Sequence, residues 1–155
     1  MANWFECKMK YDKTMENGLI KKVTDAYLVD ALSFAEAENR FIEEMAPYMS
    51  GEYEVTDIKK AKIAELLESN DSLADRWFKA RVAFITLDEK TGAEKRLRQT
   101  IMVQAVDLRD AQKNLDEGMK GTLGEWVCES LAETKIMDVY RYEKKEKDDK
   151  PEFEG

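Results

Sequence analysis

The chain has 155 residues, 43% apolar and 37% charged, with a formal net charge of −8 and no histidine. That length can bury one sizeable core, and the apolar content excludes wholesale disorder. Lacking histidine, the chain has no Ser-His or Cys-His nucleophile pair, few routes to a zinc site and no imidazole base, and its negative balance speaks against a general polyanion binder.

In chain order, Phe5, Cys7, Met9 and Tyr11 alternate with polar residues, the period of a strand with one buried face. Asn17-Gly18 supplies the positive φ of a hairpin turn, and Val23, Tyr27, Val29 and Ala31 continue the pattern on a return strand. Ser33 with Glu36 makes a capping box, Leu32 can staple onto Ala37, and Phe34, Ala37, Phe41 and Met45 form one helical stripe. Pro47 stops that helix. A last segment, Tyr53 to about Leu66, reads as a strand, although Ile58, Ala61 and Leu66 also fit helical spacing.

The series then returns about 73 residues later. Trp77-Phe78 matches Trp4-Phe5, and Phe78, Ala80, Val82 and Phe84 alternate. Thr91-Gly92 supplies the turn, and Leu97, Ile101, Val103 and Ala105 return. Asp107 with Asp110 caps a helix whose stripe is Leu108, Ala111, Leu115 and Met119, with Val106 placed to staple onto Ala111. Gly118, Gly121 and Gly124 end it, and Trp126 to about Tyr140 is the closing strand. Gly51-Glu-Tyr-Glu-Val aligns with Gly124-Glu-Trp-Val-Cys, and Ala61-Lys-Ile-Ala-Glu-Leu with Thr134-Lys-Ile-Met-Asp-Val.

Agreement over such a span marks a tandem duplication. The expected fold class is α+β: two strand-strand-helix-strand repeats, 1–69 and 75–140, related by a pseudo-twofold, with an antiparallel sheet carrying its helices on one face. A linker falls near Ser69 to Ala74, and the charged run 141–155 reads as a flexible tail. Whether the repeats pair within one chain or between the chains of a homodimer stays open.

No stretch approaches the roughly 18 to 20 uncharged apolar residues of a membrane helix, and Met1 to Lys10 carries charge where a signal peptide has its apolar segment. A cytoplasmic protein with no membrane role is the expectation. Cys7 and Cys128 build neither a disulfide framework nor a C-x-x-C motif and read as small buried hydrophobes.

Nothing in the sequence assembles a catalytic, metal or cofactor site, so the expectation is a non-enzyme. There is no P-loop and no G-x-G-x-x-G after a strand. Gly118-Met-Lys-Gly-Thr-Leu-Gly124 follows a helix C-terminus, where the dipole repels phosphate, and reads as a helix-ending turn. Glu43 with Glu44 and Asp116 with Glu117 point about 100° apart on their helices and read as solvated faces.

Strand parity makes the sharper prediction. If Phe5, Cys7 and Met9 face the helix, then Trp4, Lys8, Lys10 and Lys22 face away, with Glu6 and Thr24. The same parity in the second repeat turns Trp77, Lys79, Arg81, Arg96 and Arg98 outward. Aromatic rings among cations are what single-stranded nucleic acid requires, because bases stack while cations follow the phosphates. Two plainer readings compete. Strand lysines also guard edges, and a strand-start tryptophan also covers a core rim. Ala83, Ile85 and Leu87 on this same face further suggest that part of it is covered.

The alternatives come from other classes. Glu36, Glu38, Glu43, Glu44, Asp110, Asp116 and Glu117 line the helices, a surface suited to a protein-protein adaptor or a host-defence inhibitor that engages a basic protein partner. A nucleotide-sequestering protein, binding where the repeats meet, is the third reading. The segment Asp148-Asp-Lys-Pro-Glu-Phe-Glu154 loosely resembles the acidic tips of some single-stranded-DNA-binding proteins.

At Asn3-Trp-Phe-Glu-Cys-Lys, Tyr27-Leu-Val-Asp-Ala-Leu-Ser-Phe-Ala-Glu-Ala and Leu87-Asp-Glu-Lys-Thr-Gly-Ala-Glu-Lys, the sequence resembles the uncharacterised family called domain of unknown function 4494, over about residues 3 to 140. The resemblance implies a gut Bacteroidetes or phage setting, hence the cytoplasm of a bacterial host or phage-infected cell. It brings no catalytic residue and no ligand.

Overall fold

The computed structural model describes residues 3–141. Among these residues, eight strands form two four-stranded sheets, and two helices pack on them. The chain divides into two compact units, one made of residues up to Lys62 together with those from Ile136 on, the other of Ile63–Lys135.

Unit 1 opens with the expected hairpin. Strands β1 (Trp4–Thr14) and β2 (Ile20–Asp30) pair antiparallel in unbroken register from Trp4 opposite Asp30 to Thr14 opposite Ile20. Gly18 at φ 83° closes the connection, a conformation that costs glycine nothing. Helix α1 (Phe34–Met45) starts where the Ser33 hydroxyl accepts the Glu36 amide at 3.1 Å, and the Glu36 carboxylate reaches back to the Leu32 amide. Leu32 itself is 76% exposed, so it makes no staple.

The helix lays Ala37, Phe41 and Met45 onto Phe5, Cys7, Met9, Tyr27, Val29 and Ala31. Each large side chain withdrawn there contributes about 1.5–3 kcal/mol of transfer free energy. Pro47 sits in a short 3-10 turn over Ala46–Tyr48, and β3 (Tyr53–Ala61) returns antiparallel to β1.

Unit 2 repeats these devices. Strands β5 (Arg76–Leu87) and β6 (Glu94–Ala105) form the hairpin, with Gly92 at φ 72° in its turn. Asp107 caps α2 (Leu108–Gly118), its carboxylate accepting the Asp110 amide at 2.9 Å, while Asp110 takes the Val106 amide. Ala111, Leu115 and Met119 close over Phe78, Ala80, Val82, Ile101, Val103 and Ala105. Strand β7 (Glu125–Glu133) pairs antiparallel with β5.

The last segments depart from expectation. The sequence pattern predicts one strand of an antiparallel sheet for each, and each is instead two strands. After β3 comes β4 (Glu65–Leu67), and after β7 comes β8 (Ile136–Tyr140). Strand β4 joins β6 in parallel, Glu65 opposite Ile101, and β8 joins β2 in parallel, Ala26 opposite Ile136. The sheet orders are β3-β1-β2-β8 and β4-β6-β5-β7, so both sheets are mixed.

The breaks have a physical cause: β3 runs out of partner at Ala61, opposite the first residue of β1, and its backbone groups need new ones. The Ala64 amide finds the Thr100 carbonyl at 2.8 Å. At the other break, the Thr134 amide and hydroxyl both donate to the Trp77 carbonyl, at 2.9 and 2.8 Å.

A second correction concerns the cysteines. Cys7 is fully buried as expected, but Cys128 is exposed, because it lies on the edge strand β7. Among the described residues no helix is long and apolar enough to cross a membrane. The expected flexible tail and its acidic tip fall on 142–155, outside the described residues apart from Arg141.

Candidate ligand-binding face

On the sheet face opposite α1, the register puts Lys8 across from Asp57, Lys10 across from Glu54, and Glu6 across from Lys59. Lys22 is ion-paired with Asp12 at 3.6 Å. Cations and carboxylates therefore alternate over this face, and it carries no excess positive potential of the kind a phosphate backbone follows. Trp4 is only 4% exposed, with the Arg141 guanidinium 5.7 Å from its ring centre. Leu28 and Ala26 on the same face are buried as well. The strand start is thus covered on both faces, and the Trp4 ring presents no free surface for a base.

By the same count the corresponding face of unit 2 is only slightly more basic, with four cations against Glu94, Glu125 and Glu129. Register places Lys79 opposite Met102, Arg81 opposite Thr100, Arg98 opposite Ala83 and Arg96 opposite Ile85, so all four predicted cations share one face. All four are exposed. Trp77 shares that face but is 3% exposed beside buried Met102. Parity had assigned both tryptophans to their face; it said nothing of whether that face was covered. The continuous apolar runs Ala26-Tyr-Leu-Val and Ile101-Met-Val were the signal, since a strand buried on both faces loses its alternation.

The four cations divide into two kinds. Lys79 and Arg81 make no ion pair among the described residues. Arg96 and Arg98 converge on a residue that sequence reasoning missed, Glu129. Arg98 Nε donates to Glu129 Oε1 at 2.7 Å, and Arg96 Nη1 donates to Oε2 at 3.0 Å. Arg96 Nε also donates to Glu94 at 3.1 Å.

A β-bulge brings Glu129 to this position. The pairing steps from Ser130 opposite Arg81 to Cys128 opposite Val82, which leaves Glu129 as the extra residue of β7. Its carboxyl is held below the usual carboxylate range, by the hydrogen bonds from Arg98 first and then Arg96. The Arg96 guanidinium is correspondingly stabilised, first by Glu94 and then by Glu129.

The helices carry the expected acids unevenly. Glu36 and Asp110 are engaged in the caps, while Glu38 and Glu43 are exposed on α1. On α2, Asp116 and Glu117 line a surface depression together with Arg109 and Lys113, so that helix is of mixed sign. Unit 1 has a cleft of about 460 Å³ lined by Lys10, Tyr11, Lys22, Gly51, Glu52, Tyr53 and Glu54. Among the described residues no three acidic, cysteine or histidine side chains are grouped to hold a metal ion.

Compared with known proteins, the chain matches the family model for the domain of unknown function DUF4494 over residues 3–142. No curated protein and no solved structure matches.

Proposed function

For a chain that belongs to the DUF4494 family, we propose a non-catalytic binding role: engagement of single-stranded nucleic acid through its phosphates by the β5–β6 face of unit 2. The observation that carries the reading is the shared face of Lys79, Arg81, Arg96 and Arg98, two of them without an ion pair among the described residues. With Trp4 and Trp77 buried, recognition rests on phosphate contacts and is tolerant of sequence. The same reading places the chain in the cytoplasm, where a bacterial host or an infecting phage handles single strands.

The chain is also read as a tandem duplication. Its support lies in matching devices: both hairpins pair with their third strand through a bulge, at Lys8/Met9 and Arg81/Val82, 73 positions apart. In each repeat the final short strand is then lent to the other repeat's sheet.

The test is a titration of fluorescein-labelled oligothymidine at low and moderate salt, with wild type and a Lys79→Ala, Arg81→Ala variant. These side chains are exposed and make no ion pair among the described residues, so the variant keeps its fold. Binding weakened by salt, with a slope in log salt reduced by about 1.4 for two lost phosphate contacts, supports the reading. An unchanged affinity and slope refute it.

One observation favours a second reading, a protein adaptor. Helix α1 carries four glutamates and one arginine, and Leu32 and Phe34 at its start are 76% and 55% exposed. A partner held that way is lost on Glu38→Lys, Glu43→Lys and unaffected by Lys79→Ala, Arg81→Ala.

A further inference from the structure

We infer that Arg96 and Arg98 form an oxyanion site which Glu129 fills in the free protein, and that a phosphate of single-stranded nucleic acid binds there by displacing Glu129. The inference rests on the reading of β5–β6 as a phosphate-binding face and names a residue that sets its selectivity.

The donor geometry is that of an anion clamp. Arg98 presents Nε and Nη2 to the two oxygens of one carboxylate, at 2.7 and 3.3 Å, and Arg96 Nη1 meets one of those oxygens at 3.0 Å. A guanidinium fork takes a phosphate through the same two parallel N–H bonds. The occupant comes from a distance. Glu129 stands on β7, and its carboxylate reaches β6 across β5, where Arg98 lies opposite Ala83.

The site is also open, since the Arg98 and Arg96 side chains keep 51% and 35% of their exposure. In unit 1 the equivalent bulge carries Thr56, between Val55 opposite Met9 and Asp57 opposite Lys8. A carboxylate at the bulge is therefore no requirement of the bulge itself.

An intramolecular carboxylate competes at high effective concentration. A lone monoanion does not displace it. A backbone that places further phosphates on Lys79 and Arg81 does, because the contacts are made together. Glu129 thereby selects an extended phosphodiester and lowers affinity for small anions.

The experiment compares wild type, Glu129→Gln, Glu129→Asp and Glu129→Gln combined with Arg96→Ala and Arg98→Ala, each checked by circular dichroism, in oligothymidine titrations over a salt series. Glu129→Gln is expected to bind about tenfold tighter with an unchanged salt slope, because both complexes contact the same phosphates and only the competing carboxylate is gone. Glu129→Asp, which keeps the charge but shortens the reach, falls between. The gain disappears in the triple variant.

Wild-type binding that depends on Lys79 and Arg81 but is unchanged or weakened in Glu129→Gln overturns the inference and leaves the face. A gain that survives removal of both arginines overturns it too. No binding by wild type or Glu129→Gln at the lowest salt overturns the face and the inference together.

Discussion

Arg98 holds Glu129 across a strand that belongs to neither of them, with Nε to Oε1 at 2.7 Å and Ala83 of β5 lying between. The carboxylate is depressed below its ordinary value of 4.5 by this hydrogen bond and by that of Arg96. A depressed carboxylate contributes stability above its unfolded pKa and loses that contribution as the pH falls through its folded one. The melting-temperature difference between wild type and Glu129→Gln is therefore expected to be widest above pH 4.5 and to close as the pH falls further. Differential scanning fluorimetry across a pH series measures it, and a difference that stays constant into acid shows that the pair carries no stability.

Trp4 and Trp77 are 4% and 3% exposed, so both belong to the packed interior. Replacing either by alanine removes a buried ring and is expected to cost about 3–5 kcal/mol, read from denaturant midpoints. Their fluorescence should resist quenching by iodide in the folded protein, leaving half-buried Trp126 as the accessible ring. Midpoints shifted by less than about 1 kcal/mol would contradict the packing and return the rings to the list of candidate contacts.

What the sequence made legible was local. Gly18, Gly92, Ser33 and Asp107 act through neighbours within four residues, so the turns and caps stand where pattern alone put them. The partners of β4 and β8 are not local. Ile63-Ala-Glu-Leu-Leu and Ile136-Met-Asp-Val-Tyr announce strands, but no residue in either run says which edge it will join, because backbone pairing is blind to side-chain identity. Glu129 was hidden for a related reason: a bulge resets the alternation from which faces are counted.

The two cysteines should differ sharply. Cys7 is wholly buried, and burial first, then the charges of Glu6, Asp57 and Glu38, push its thiol up to about 12. Cys128 is exposed on β7. Since only the thiolate attacks, a disulfide reagent at about pH 8 should modify Cys128 in the folded protein and reach Cys7 only after denaturant is added. Mass spectrometry of the adduct identifies the residue, and labelling of Cys7 at the rate of Cys128 would contradict the core of unit 1.

Strand exchange along the chain makes the last prediction. Unit 1 needs residues that lie beyond unit 2 in sequence: Ile136 is buried, and the Tyr140 ring lies 6.0 Å from that of Tyr27 with its hydroxyl 3.7 Å from the Met45 sulfur. Unit 2 in turn needs Leu66, buried on β4 beside β6. Tyr140→Ala, at a half-buried site, is expected to cost roughly 1–3 kcal/mol, and Leu66→Ala roughly 2–3. The costs should fall crosswise. Hydrogen exchange in Tyr140→Ala should accelerate at Ala26–Val29, where β8 pairs with β2, while amides of β5, β6 and α2 keep their protection. In Leu66→Ala the pattern should invert, with β6 losing protection near Ile101–Val103, although Leu66 follows β3 directly in the chain. If Leu66→Ala instead loosened β1–β3 and spared β6, the short strands would belong to the segments that precede them, and the mixed sheets would have to be redrawn as separate antiparallel ones.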